Sequence, residues 1–323
     1  MKRWVKAFIL SFCLLALKSD AFIYEIYVMY KVDPADKENK KKRKYFIGLG
    51  DFHDKKDYSN VVQMTKLNAI IARRPKDDTQ FIVEDISSKG FGDKMACGRF
   101  YVNSRGGILG GLAKKYIGKG FTNFKNIEYR FCRVASLSPL LNNVYSGKAS
   151  FPSSSSIKIC CLKNEIAKLL LDINKYNDGD ILNKWYKQRI ASVFKCMKVF
   201  KFSKYKQLSV EDYVNQYTNH INKAKRLNFI KKMLVFDSSL IDIQIVHEMV
   251  KSPHRKKVVL AGGSHIRSVA KMLEKIGYTL DYKNSVSFKD EYDMKKCLGC
   301  HINPGGFCRK PKPVKLDVLD KYL

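Results

Sequence analysis

Two histidines stand in matching surroundings. Ile47-Gly-Leu-Gly50-Asp51-Phe52-His53-Asp54 and Leu260-Ala-Gly262-Gly263-Ser264-His265 each run from an apolar stretch through a glycine and two further residues to a histidine at the head of a helical segment. Imidazole titrates near neutral pH, so it serves as base, acid or metal ligand. Glycine lets the backbone turn tightly and come close to a ligand. Between the two loops, Gln80-Phe-Ile-Val-Glu84 ends a short apolar run on a carboxylate. His53, Glu84 and His265 are therefore the candidate set. Two imidazoles and a carboxylate can hold a divalent metal ion and leave positions open for water. The same three groups can also work without metal, one histidine acting as base and Glu84 orienting it. Asn60 and Gln63, close to His53 at the start of the next helix, are candidate pocket-lining residues.

These groups converge only if the segments before them are strands of one sheet, because ligands of open α/β sheets collect beyond the carboxyl ends of the strands. The pattern predicts such a sheet. Phe22 to Val32 alternates and is rich in aromatic residues, as does a strand. A lysine-loaded loop, 36–43, leads to a second strand at 44–50. Val61, Met64, Leu67, Ile70 and Ile71 have helical spacing and precede Pro75. Residues 80–84 form a third strand, which completes a strand–helix–strand unit. A fourth strand is expected at 126–134, a buried strand at 258–261, an amphipathic helix up to Ile276 and a last strand at 278–282. The glycine-rich stretch Ser104–Gly120 lacks both Gly-Lys-Ser/Thr and G-x-G-x-x-G, so it is read as close packing near a helix start. The expected fold is α/β, a central mostly parallel sheet flanked by helices, with an all-helical insertion. The expected division is a signal peptide at 1–21, the first half of the core at 22–152, the insertion at 153–252, the second half at 253–290 and a cysteine-containing tail at 291–323.

The loops and the intervening acid also resemble a known family. GLGDFHDKKDYSNVVQMTKLNAII followed by FIVEDIS, and later VVLAGGSHIRSVAKMLEKIGY, are similar to the Tiki/TraB/erythromycin-esterase/ChaN superfamily. Its members share two G-x-x-H motifs and an intervening glutamate on an α/β scaffold. They include metalloproteases, an esterase that opens macrolides and a haem-binding lipoprotein. The resemblance implies His53 and His265 as the paired histidines and Glu84 as the acid. It implies that Asp51, where several members carry Glu, assists the first loop, and that Arg130 or Arg133 supplies a cation for a substrate carbonyl or carboxylate. The implied activity is hydrolysis of a peptide or ester bond, with a divalent metal ion as one option. The alternative it implies is a non-catalytic cleft for haem or another small ligand. Fold-level likeness places the pocket better than it names the reaction.

Composition sets the surroundings. The chain has 323 residues, with 61 Lys+Arg against 30 Asp+Glu and a formal charge of +31. Only 13 of the 61 are arginine, whereas nucleic-acid readers lean on arginine for bidentate contacts. A specific nucleic-acid partner is therefore not expected, while adhesion to anionic envelope surfaces is. Lys2, Arg3 and Lys6, the eleven-residue run Ala7–Leu17 and Ser19-Asp20-Ala21 have the three parts of a secretory signal. Eleven residues fall short of the roughly 20 that span a bilayer. The expectation is export, to a periplasm or out of the cell. Eight cysteines then remain in an oxidising compartment, where disulfides form. Cys297-Leu-Gly-Cys300-His301 with Cys308 leaves three readings open: a disulfide-stapled tail, a zinc knuckle, or covalent haem attachment. His220, His247 and His254 have no matching partners in the sequence and are read as surface or core.

Overall fold

The computed structural model describes residues 22–32, 43–52, 61–74, 78–84, 112–117, 119–127, 158–175, 180–197, 202–208, 212–213, 216, 221–285 and 314–323. Among the described residues six strands are paired in the sheet: β1 (Phe22–Lys31), β2 (Lys44–Phe52), β3 (Thr79–Val83), β4 (Phe124–Asn126), β5 (Lys256–Gly262) and β6 (Thr279–Ser285), in the spatial order β4-β3-β5-β2-β1-β6. The pairings β4–β3, β3–β5 and β5–β2 are parallel, and β1 runs antiparallel to both β2 and β6. The fold is the α/β architecture that the sequence pattern predicts. The fourth strand starts at Phe124, ahead of its expected span of 126–134, of which residues 128–134 lie outside the described residues. The strands that lead into the two expected loops, β2 and β5, are parallel neighbours, so Asp51 and Gly262 at their ends lie at one edge of the sheet.

Period-two alternation on strands buried from both sides divides the core into two layers. Ile47 and Leu49 of β2, Phe81 and Val83 of β3, and Val258 and Leu260 of β5 pack toward α1 (Val61–Ala72) and α2 (Leu112–Ile117). Phe46, Ile82, Val259 and Ala261 face the opposite layer. That layer contains α3 (Ile159–Asn174), α4 (Asp180–Met197), α5 (Phe202–Tyr205), α6 (Lys223–Lys251) and α7 (Gly263–Lys275). The helical insertion is thus one covering of the sheet and shares a core with it.

The C-terminal segment is also core. Val314, Leu316, Leu319, Tyr322 and Leu323 are buried in the first layer, around α8 (Leu319–Tyr322). The Val314 N–H donates to the Ile23 carbonyl at 3.0 Å, and Lys66 pairs with Asp317 and Asp320. Residues 314–323 therefore belong to the α/β unit.

From Ser239 to Met249, helix α6 is buried at every residue, and its apolar residues share one core with the sheet and the other helices of that layer. A helix covered all round is expected to be apolar all round, yet this one carries Asp242, Gln244, His247 and Glu248. Buried polar groups need partners. His247 Nε2 meets Asp172 Oδ2 of α3 at 2.8 Å. Of the two settings expected for His247, surface or core, the structure shows the core, with a partner that the sequence did not disclose.

Candidate functional site

Glu84 follows β3 directly and is 1% exposed. Its Oε2 accepts the Gly262 N–H at 2.8 Å, at the N-terminus of α7. The partial positive charge of a helix start favours a carboxylate there. His265 lies in the first turn of the same helix and is 6% exposed. Its Nε2 stands 3.9 Å from Glu84 Oε1. That separation is too long for a direct hydrogen bond and suits a pair bridged by one water. Two of the expected residues are thus brought together, because β3 and β5 are parallel neighbours and their ends coincide.

The other ring nitrogen of His265 has a partner absent from the sequence reading. His265 Nδ1 lies 2.8 Å from Asp242 Oδ1 of α6. Asp242 Oδ2 accepts from the Ser268 hydroxyl at 2.6 Å, and that hydroxyl accepts from Arg189 Nη2 of α4 at 2.6 Å. Arg189 Nη2 also lies 3.5 Å from Asp242 Oδ2. Asp242 was legible only as a lone acid in the apolar run Leu240-Ile-Asp-Ile-Gln-Ile-Val246. Such an acid, once its helix is known to be central, demands buried partners.

The remaining expected residues divide. Asp51 pairs in register with Gly262 and is 3% exposed, so it shares the edge. Alternation places it on the same side of β2 as Ile47 and Leu49, the α1 layer, whereas His265 belongs to the opposite layer. Gln63 is buried, and its amide is engaged away from the Glu84–His265 pair. Oε1 accepts the Ile23 N–H at 2.9 Å, and Nε2 donates to the Ile23 and Val314 carbonyls at 2.9 and 2.6 Å. Its position is that of a clamp joining α1, β1 and the C-terminal segment. His53, Asn60, Arg130, Arg133 and the group Cys297, Cys300, His301 and Cys308 lie outside the described residues, as does the 1–21 segment.

The motif glycines do a different job from the expected one. Neither Gly50 nor Gly262 is among the glycines with positive φ, and Gly262 has φ −54°. What Gly50 and Gly263 provide is space. A Cβ at Gly50 would collide with the Glu25 side chain, and one at Gly263 with Tyr24 Oη and Glu25 Oε1. Glu25, on β1, is fully buried, although in the sequence it is only one residue of an alternating strand. Its Oε2 accepts from Arg267 Nη1 of α7 at 2.8 Å, and the same nitrogen reaches Tyr24 Oη at 3.1 Å. Burial raises the Glu25 carboxyl above the usual carboxylate range despite the opposing pull of Arg267. Burial, reinforced by the neighbouring Glu25, pushes the Tyr24 phenol up to about 12.

His265 and Glu84 offer one imidazole and one carboxylate donor, a set that suits a divalent ion. Among the described residues no group of three or more His, Cys, Asp or Glu is arranged to hold a metal. The third expected ligand, His53, is outside them. Among the described residues no helix is long and apolar enough to cross a membrane. No family model, curated protein or solved structure matches the chain.

Proposed function

We propose that the chain is an exported hydrolase that cleaves a peptide or ester bond at the carboxyl edge of the sheet. The observation that carries this reading is the 3.9 Å approach of His265 Nε2 to Glu84 Oε1, two buried groups from different strand ends. A water beside the pair would donate one hydrogen bond to each and turn its lone pairs toward a substrate carbonyl. As the oxygen attacks, the water's proton passes to His265 Nε2, and the imidazolium so formed stands between two carboxylates, Glu84 and Asp242. Their negative charge favours the proton transfer in a site where electrostatic terms exceed those in water. His265 then returns the proton to the leaving nitrogen or oxygen as the tetrahedral adduct collapses. In this reading His53 would supply a second imidazole, and Arg130 or Arg133 would supply a cation for the substrate's carbonyl or carboxylate. A divalent ion held by His265, Glu84 and His53 would supply Lewis acidity and a more acidic bound water.

The test uses the mature chain from Phe22, incubated with a panel of p-nitrophenyl esters and peptide p-nitroanilides, beside His265→Gln and Glu84→Gln. Turnover by the parent that falls at least about 100-fold in each variant supports the proposal. Turnover that survives both substitutions, or none on any member with and without added Zn²⁺ or Mn²⁺, overturns it. Haem titration of the same three proteins addresses the binding alternative: a Soret band in the parent that the variants lose would favour it.

A further inference from the structure

We infer that Asp242 is a positioning residue that fixes His265 as its Nδ1–H tautomer and turns Nε2 toward Glu84, and that Ser268 and Arg189 hold Asp242 in that role. The inference deepens the proposed hydrolytic reading and rests on it for its functional meaning, but its geometry stands separately. The directions of the hydrogen bonds follow from donor chemistry. A guanidinium has no acceptor, so Arg189 donates to the Ser268 oxygen at 2.6 Å. The Ser268 hydroxyl must then turn its own hydrogen elsewhere, and Asp242 Oδ2 at 2.6 Å takes it. With Oδ2 accepting and a guanidinium 3.5 Å away, Asp242 is held as a carboxylate whose remaining oxygen, Oδ1, is also an acceptor. His265 Nδ1, 2.8 Å from Oδ1, therefore carries the hydrogen.

The consequence reaches Nε2. In a neutral imidazole whose Nδ1 is protonated, Nε2 presents its lone pair. That is the form needed to take a proton from water, and equally the form that binds a metal. A carboxylate behind a ligating or catalytic histidine fixes both tautomer and ring orientation. The side chains of Asp242 and His265 are 3% and 8% exposed, so water competes weakly for their bond. Arg189 comes from α4 and Asp242 from α6, while His265 and Ser268 lie one turn apart on α7. The helical layer thus reaches the edge chemistry through one directed chain, Arg189 to Ser268 to Asp242, with the imidazole bound to the far oxygen.

The experiment reads the tautomer by long-range ¹H–¹⁵N correlation spectra of the mature chain labelled with ¹⁵N-histidine, at one neutral pH, with His265 assigned by its loss in His265→Gln. The expected result is a pyrrole-type Nδ1 and a pyridine-type Nε2. In Asp242→Asn the amide competes as a donor to Nδ1, and the Nε2–H form is expected to grow. Ser268→Ala keeps the packing, frees Asp242 of one donor and is expected to give a smaller shift in the same direction. A parent spectrum with the hydrogen on Nε2, or a tautomer unmoved by both substitutions, overturns the inference whether or not a variant loses stability. On a substrate found as above, Asp242→Asn should lower kcat about 10- to 100-fold, with KM little changed. The expected tautomer without turnover by the parent would defeat the hydrolase reading and leave the assignment of Asp242 intact.

Discussion

Two carboxylates are buried at the same edge of the sheet and on the same side of it, and they are used in opposite ways. Glu25 directs one oxygen at Arg267 of α7 and packs the other against Gly263, so its charge is met within its own cluster. Glu84 accepts one backbone N–H and stands 3.9 Å from an imidazole that is itself held from behind by Asp242. The first arrangement closes an ion pair. The second keeps an acid and a base 3.9 Å apart, too far for a direct hydrogen bond. Burial alone therefore does not mark a site at this edge; what marks it is a pair of groups held apart by partners of their own.

The comparison can be broken most forcefully at the closed cluster. Arg267→Met keeps the apolar stem and removes the charge that faces Glu25, whose side chain is fully buried. Leaving one partner of a buried pair alone costs about 3–5 kcal/mol. Denaturant unfolding near neutral pH is expected to show a loss in this range, smaller in acid where Glu25 takes up a proton. A loss below about 1 kcal/mol at neutral pH would mean that the pair resembles an exposed one. Gly263→Ala comes next, because its Cβ would press on Tyr24 and Glu25 together. Overpacking of this kind costs about 1–3 kcal/mol, to be read by the same unfolding measurement.

The subtlest effect is on pH dependence. Glu25 has a raised carboxyl in the folded chain, through burial first. Above the unfolded value of 4.5 the native state thus binds more protons than the unfolded state. Its contribution is complete below that value and is lost as pH rises through the folded one. Glu25→Gln should therefore gain stability relative to the parent as pH rises through that window. A stability difference that stays flat would place the titration elsewhere. Asp172 gives the opposite slope: the hydrogen bond from His247 lowers its carboxyl, so its contribution is present above the ordinary aspartate value and is lost as pH falls.

Much of the frame is legible in the sequence because it depends on local pattern. The runs in β2, β3 and β5 are apolar on both faces, and α7 repeats its apolar residues at helical spacing, so their types follow directly. Glu84 and His265 were identifiable because each ends or follows a strand, the place where an α/β sheet keeps its ligands. Asp242 was not, since a single acid in the middle of a long helix gives no hint of which distant residue it meets until the helix is docked. Glu25 was hidden for a related reason: in an alternating strand an acid reads as solvent-facing, and only covering by α7 makes it buried. The C-terminal segment is a third case: its cysteines define the expected tail at 291–323, while Val314, Leu316, Leu319 and Tyr322 at its end are buried in the core through contacts no local pattern announces.

The most direct test of the account is a double-mutant cycle on hydrolysis, comparing kcat/KM for the parent, His265→Gln, Glu84→Gln and the double variant on one substrate. Two groups that share a water act as one unit, and losses within such a unit are strongly non-additive. The account predicts that each single substitution removes nearly all the activity and that the double variant is no worse than either. Losses that multiply independently, or single variants that keep the parent's activity, would contradict it.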